Sequence, residues 1–184
     1  YNELAYSVTI EDVYESGSGK NAALNESIRH LIRLIEENGD ETITDFGIGL
    51  DKYGNYAFNL EGTRKSRFLA DVYGHNLIDD LEVRERNASA DDVIEYLCGR
   101  SKFGIGDYQR AGDKNSFEVG LGYEPEELLK VLTVRYNMNT NSYQKYIATT
   151  VAMDVCSETV AKVLENRDSL PGVNIYEDTI RKYN

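Results

Sequence analysis

The spacing of apolar residues switches between two and three-to-four along the chain, and the switches predict its elements. Ala5-Tyr6-Ser7-Val8-Thr9-Ile10 alternates and is rich in β-branched residues, the pattern of a strand. Ser16-Gly17-Ser18-Gly19 breaks it. From Asn21 to Asn38 the apolar positions Leu24, Ile28, Leu31, Ile32 and Ile35 recur at helical spacing, and Gly39 stands where a helix stop belongs. Ile43 to Leu50 and Tyr56 to Leu60 flank Asp51-Lys52-Tyr53-Gly54-Asn55, which reads as a β-hairpin.

Over residues 64–87, Phe68, Leu69 and Val72 could be helical while Leu77, Ile78, Leu81 and Val83 fit helix or strand equally well, and the type stays open. A further helix is expected from Ser89-Ala90-Asp91-Asp92 to Gly99, with Val93, Ile94, Leu97 and Cys98 on its buried side. Phe103 to Gly122 reads as a second hairpin turning through residues 110–115. Glu124-Pro125-Glu126-Glu127 opens another helix, because proline suits the first turn and glutamates suit its positive end. Asn137 to Ser142 is expected to be a polar loop. Ile147, Thr149, Val151, Met153 and Val155 alternate as in a strand, yet Tyr143, Ile147, Val151 and Val155 also fit a helix. A short helix over Ser157 to Arg167, with Ser157 as its N-cap, and a last strand over Val173 to Tyr176 complete the pattern.

The expected architecture is one α+β domain spanning 1–184, with an N-terminal strand, a long amphipathic helix, two β-hairpins and further short helices. Phe46-Gly47-Ile48-Gly49 recurs as Phe103-Gly104-Ile105-Gly106. In both places a helix precedes and a hairpin follows, so a helix-hairpin duplication over about 21–62 and 89–122 is one reading, and chance recurrence in a glycine-containing strand is the other.

Charge changes the picture most. Thirty-two acids against 20 bases give a net charge of −12. Residues 1–92 hold 19 acids and 9 bases, a net of −10, and residues 93–184 hold 13 and 11, a net of −2. Such a field repels nucleic acid and anionic membranes, and it favours basic partners. Two widely separated cysteines, Cys98 and Cys156, are too few for a disulfide framework, and the longest apolar runs are too short to span a bilayer. A cytoplasmic location is expected, in a host cell if the chain is virus-encoded.

Candidate chemistry is sparse. Ser16 to Asn21 joins a strand to a helix as a phosphate loop would, but Tyr14 stands where that loop needs glycine and Asn21 where it needs Ser or Thr. His30 and His75 are the only histidines, and no metal-ligand spacing surrounds them. His75, with Asp71 and Asp79 near it in sequence, is the better acid/base candidate if the chain is an enzyme. No catalytic residue, metal site or cofactor is assigned. Asn87-Ala88-Ser89 matches the glycosylation triplet and matters only for a secreted chain.

Three functional classes follow. The favoured one is an acidic, non-enzymatic binding or inhibitor protein, phage- or plasmid-encoded, that mimics nucleic acid in counter-defence and occupies a basic surface of a nucleic-acid enzyme. Its contact set is Asp79, Asp80, Glu82, Asp91, Asp92 and Glu95, with the hairpin tyrosines Tyr53 and Tyr108. The alternatives are a small enzyme using dispersed Asp, Glu, Tyr and His75, and a structural or assembly module.

Overall fold

The computed structural model describes residues 2–140 and 147–181. It has the α+β class expected from the sequence, and it divides into two compact units. One unit holds the residues up to Asp45 together with those from Thr133 onward; the other is Phe46–Leu132.

The first unit is built on a three-stranded antiparallel sheet in the order β6-β1-β7. Strand β1 (Asn2–Ile10) lies in the middle, between β6 (Thr149–Ala152) and β7 (Val173–Arg181). All nine residues of β1 pair with β7, from Asn2 opposite Arg181 to Ile10 opposite Val173. Alternation puts Val8 and Ile10 on one face with Val173, and all three are buried. Helix α1 (Lys20–Glu37) and helix α6 (Ser157–Glu165) pack against each other in this unit.

The five apolar positions that predicted α1 are all buried, and the buried arc is wider than they indicated. Asn25, Ser27 and Leu34 are buried as well. The two polar residues are accommodated by hydrogen bonds, as burial requires. Ser27 Oγ bonds the Tyr14 hydroxyl at 2.6 Å, and Asn25 Oδ1 accepts from the guanidinium of Arg135. Arg135, itself buried, also donates to Asn21 Oδ1 at 2.8 Å.

Helix α5 runs Pro125–Thr140, so Asn137 to Thr140 is helical where a loop was expected; residues 141 and 142 lie outside the described residues. Asn137 keeps the helix going by donating to Thr133 O at 2.8 Å and to Asp45 O at 3.0 Å, contacts that composition alone does not reveal. The stretch around Val151 is a strand, and the helical alternative included Tyr143, which also lies outside the described residues. Cys156, not Ser157, is the N-cap of α6.

The second unit contains two small hairpins and several helices. Strands β2 (Ile48–Leu50) and β3 (Tyr56–Phe58) form the first hairpin, and β4 (Gly106–Tyr108) and β5 (Phe117–Val119) the second. Both hairpins lie where expected, with shorter strands. Residues 64–87 hold helical pieces and no strand: α2 (Gly62–Val72), a 3₁₀ turn at Ile78–Asp80, and α3 (Val83–Arg86). Helix α4 (Ala90–Cys98) starts at the predicted Ser89, whose Oγ accepts from Asp92 N while the Asp92 carboxylate accepts from Ser89 N.

The repeated tetrapeptide takes two different conformations. Ile48 sits in the ladder opposite Phe58, whereas the second ladder begins only at Gly106, after Ile105. Its glycines meet different needs too. A Cβ on Gly47 would lie 2.8 Å from the Phe68 ring, and one on Gly106 would lie 2.1 Å from the Glu118 carbonyl oxygen.

Candidate interaction surfaces

The six acidic residues expected to form a contact surface are all exposed and all lie in the second unit. Their local roles divide them. Glu82 and Asp92 are capping residues: the Glu82 side chain caps the first turn of α3, and Asp92 closes the capping box of α4. Asp79 and Asp80 occupy the 3₁₀ turn. Much of the negative charge thus sits at helix starts, where the backbone dipole favours carboxylates whatever the partner.

Asp91 and Glu95, one turn apart on α4, line a pocket of about 320 Å³ with Tyr56, Ile94, Tyr123 and Leu128. Burial pushes the Tyr56 hydroxyl up to about 12, and the charges of Cys98, Asp91 and Glu95 push in the same direction. Tyr53 is 76% exposed at the tip of the first hairpin, beside Lys52. Tyr108 packs edge-on against Phe117 in the second hairpin, the ordinary cross-strand role of an aromatic.

His75 is held in place by packing partners. Its Nε2 lies 2.8 Å from Glu85 Oε1, and the Glu85 side chain is buried. The same carboxylate oxygen accepts from Glu82 N at 2.8 Å, completing the cap of α3. That backbone bond, ahead of the His75 contact, holds the Glu85 carboxyl below its ordinary range despite opposing desolvation. Neither Asp71 nor Asp79, its neighbours in sequence, supplies the partner.

Cys156 is likewise part of a structural knot. Asp40 Oδ2 accepts from Cys156 N at 2.9 Å and from Thr159 Oγ1, so a carboxylate from the chain beyond α1 caps the start of α6. Desolvation raises the Asp40 carboxyl, but the Thr159 and Cys156 hydrogen bonds outweigh it and hold the group below its ordinary value. Asp40→Ala is expected to cost about 1–2 kcal/mol, as loss of a helix cap does. A depressed folded-state value stabilises the protein above the unfolded pKa of about 3.9, and this contribution fades as pH falls through the lower folded value. Thermal melts should therefore separate wild type from Asp40→Ala at pH 7 and bring them together as pH falls below about 3.9.

A different surface went unnoticed in the sequence: the outer edge of β7. Val173 N donates to Leu170 O at 3.2 Å and Thr179 N to Asp178 Oδ1 at 2.7 Å, so these two N–H groups point away from β1. Strand geometry directs the N–H groups of Ile175 and Glu177 the same way. No described residue pairs with them. At the other edge, Ile43 N donates to Val151 O of β6 at 2.8 Å. Only the alternation at Val173 to Tyr176 marked β7 in the sequence, and a four-residue reading hides a nine-residue edge.

Among the described residues, no group of three or more His, Cys, Asp and Glu side chains is placed to hold a metal ion, and no helix is long and apolar enough to cross a membrane. A family model, the penicillin-binding protein dimerisation domain, matches residues 1–184. The chain belongs to this family. Comparison with curated proteins gives no match. Membership overturns the reading of the chain as a counter-defence inhibitor and nucleic-acid mimic: a dimerisation domain points to another penicillin-binding protein domain as partner, not to a basic surface of a nucleic-acid enzyme. Of the six carboxylates read as a contact set, Glu82 and Asp92 have a local role as helix caps.

Proposed function

We propose that this penicillin-binding protein dimerisation domain is a non-catalytic assembly module through which its chain associates with a second penicillin-binding protein chain. The family match over residues 1–184 carries the reading. Support also comes from the groups best suited to chemistry. His75 is committed to Glu85, Cys156 to the Asp40 knot, and Cys98 is fully buried. Side chains locked into packing and caps serve stability.

Sedimentation equilibrium of the purified protein at rising salt tests this. Two copies that each carry −12 repel one another. Association should therefore tighten as salt rises from about 20 to about 150 mM, where charges more than about 8 Å apart are screened. A basic partner would show the opposite salt dependence. A protein that stays monomeric at all salt and protein concentrations would sink the assembly reading for this chain alone.

A further inference from the structure

We infer that the open edge of β7 is the contact through which two copies of this chain associate, the two β7 strands pairing antiparallel about a two-fold axis at Tyr176. The inference rests on the assembly reading above and specifies its surface.

The edge presents a short, defined set of free groups. Val173 and Thr179 direct their N–H groups outward, but Leu170 O and Asp178 Oδ1 already satisfy them. Between those two capped positions, Ile175 and Glu177 offer outward N–H and C=O groups that no described residue meets. In an antiparallel pair, directly opposed residues exchange two hydrogen bonds or none, alternately. The one two-fold register that matches the free groups sets Ile175 of each copy opposite Glu177 of the other. Each such pair exchanges both bonds, giving a four-bond ladder that stops at the capped positions on either side.

Side chains agree with this register. Tyr176 falls on the axis, opposite its own counterpart, at a pair without hydrogen bonds, where Cα atoms approach to about 4.5 Å and aromatic pairs stabilise best. It is 59% exposed, unusual for a large ring on a strand. The register also keeps Glu177 away from its own copy, opposing it to Ile175, and sets Asn174 opposite Asp178. Self-pairing of the two acidic residues is avoided. An edge that no described residue covers is a liability that proteins ordinarily blunt with charged side chains, lysine above all, with proline or with a covering loop. Between Val173 and Thr179, β7 carries Glu177 and Asp178 but no lysine or proline, and no described residue covers it, whereas Ile43 bonds the outer side of β6. The same edge on a second copy supplies the missing cover.

Two measurements test the contact. Glu177→Pro removes an outward N–H and leaves the bonds to β1 in place, because proline is tolerated on an edge strand whose N–H faces solvent. It is expected to leave the circular dichroism spectrum of the monomer unchanged and to raise the dimer dissociation constant on the order of tenfold or more, the result of losing two hydrogen bonds across the axis. The second uses cysteine cross-linking in a Cys156→Ser background. Tyr176→Cys should give a covalent dimer on mild oxidation. Asn174→Cys and Asp178→Cys should not cross-link alone, because four residues of offset separate like positions by about 13 Å. Mixed together, those two variants should cross-link to each other. A wild-type protein that dimerises, yet does so equally well as folded Glu177→Pro and without this cross-linking pattern, overturns the β7 contact and leaves the assembly reading standing. A wild-type protein that never dimerises overturns both.

Discussion

Leu31→Asp is expected to unfold the first unit, and Ile28→Asp to do the same. Both side chains are fully buried on α1, which packs against α6. An ionised carboxylate cannot be left there without a partner, so the chain must either protonate it at neutral pH or open a path for water. Substitutions of this kind cost on the order of 4–5 kcal/mol, against about 5–15 kcal/mol for the whole stability of a domain. The far-UV circular dichroism of either variant should fall at room temperature, or its denaturation midpoint should drop by a large fraction. Glu37→Gln, on the exposed side of the same helix, should shift stability by no more than about 0.5 kcal/mol. If Leu31→Asp melts like Glu37→Gln, the buried face of α1 is wrongly assigned.

The success at α1 and the failures elsewhere have different physical causes. A helix of 18 residues repeats its pattern often enough to fix both its type and its buried side. Helix α2 spans only 11 residues with Phe68, Leu69, Ala70 and Val72 buried close together, a cluster that fits either period. Polar composition misled at the end of α5. Asn137 looked like a loop residue because asparagine competes with the backbone, but here its side chain bonds Thr133 O one turn back and Asp45 O on another segment. The long-range acceptor is invisible without the fold. The same is true of α6, whose cap is the Asp40 carboxylate, far from Cys156 in sequence.

The interaction surface was less legible still. Net charge is an average over the chain, and it drew attention to carboxylates such as Asp92 whose first role is to cap a helix. The β7 edge has almost no signature. Glu177 and Asp178 are poor strand formers by composition, and β1 holds them in a strand by pairing across its full length. A strand formed by tertiary pairing rather than by its own residues is what single-sequence reasoning misses. The feature that makes it an edge, the lack of a neighbour on one side among the described residues, is a property of topology alone.

The turn that delivers the chain into β7 supplies the second large effect: Gly172→Ala is expected to cost roughly 3–4 kcal/mol and lower the melting temperature by about 10 °C. Gly172 has φ near +80°, a left-handed conformation that disfavours a side chain by about 1–2 kcal/mol. The site is also closed. An added Cβ would meet the carbonyl oxygen of Glu11 at 2.2 Å, and that oxygen belongs to backbone, so no rotamer change relieves the clash. The backbone must move instead. Movement breaks the bond from Glu11 N to Gly172 O, 2.9 Å long, which extends the β1–β7 pairing by one more step. Gly39 provides the control, because its φ is near +88° but nothing lies within 4 Å of an added Cβ. Gly39→Ala should therefore lose only the conformational part, about 1–2 kcal/mol. Equal losses for the two alanine variants in chemical denaturation would show that the chain around Glu11 yields freely, and that the turn at Gly172 does not fix the start of β7.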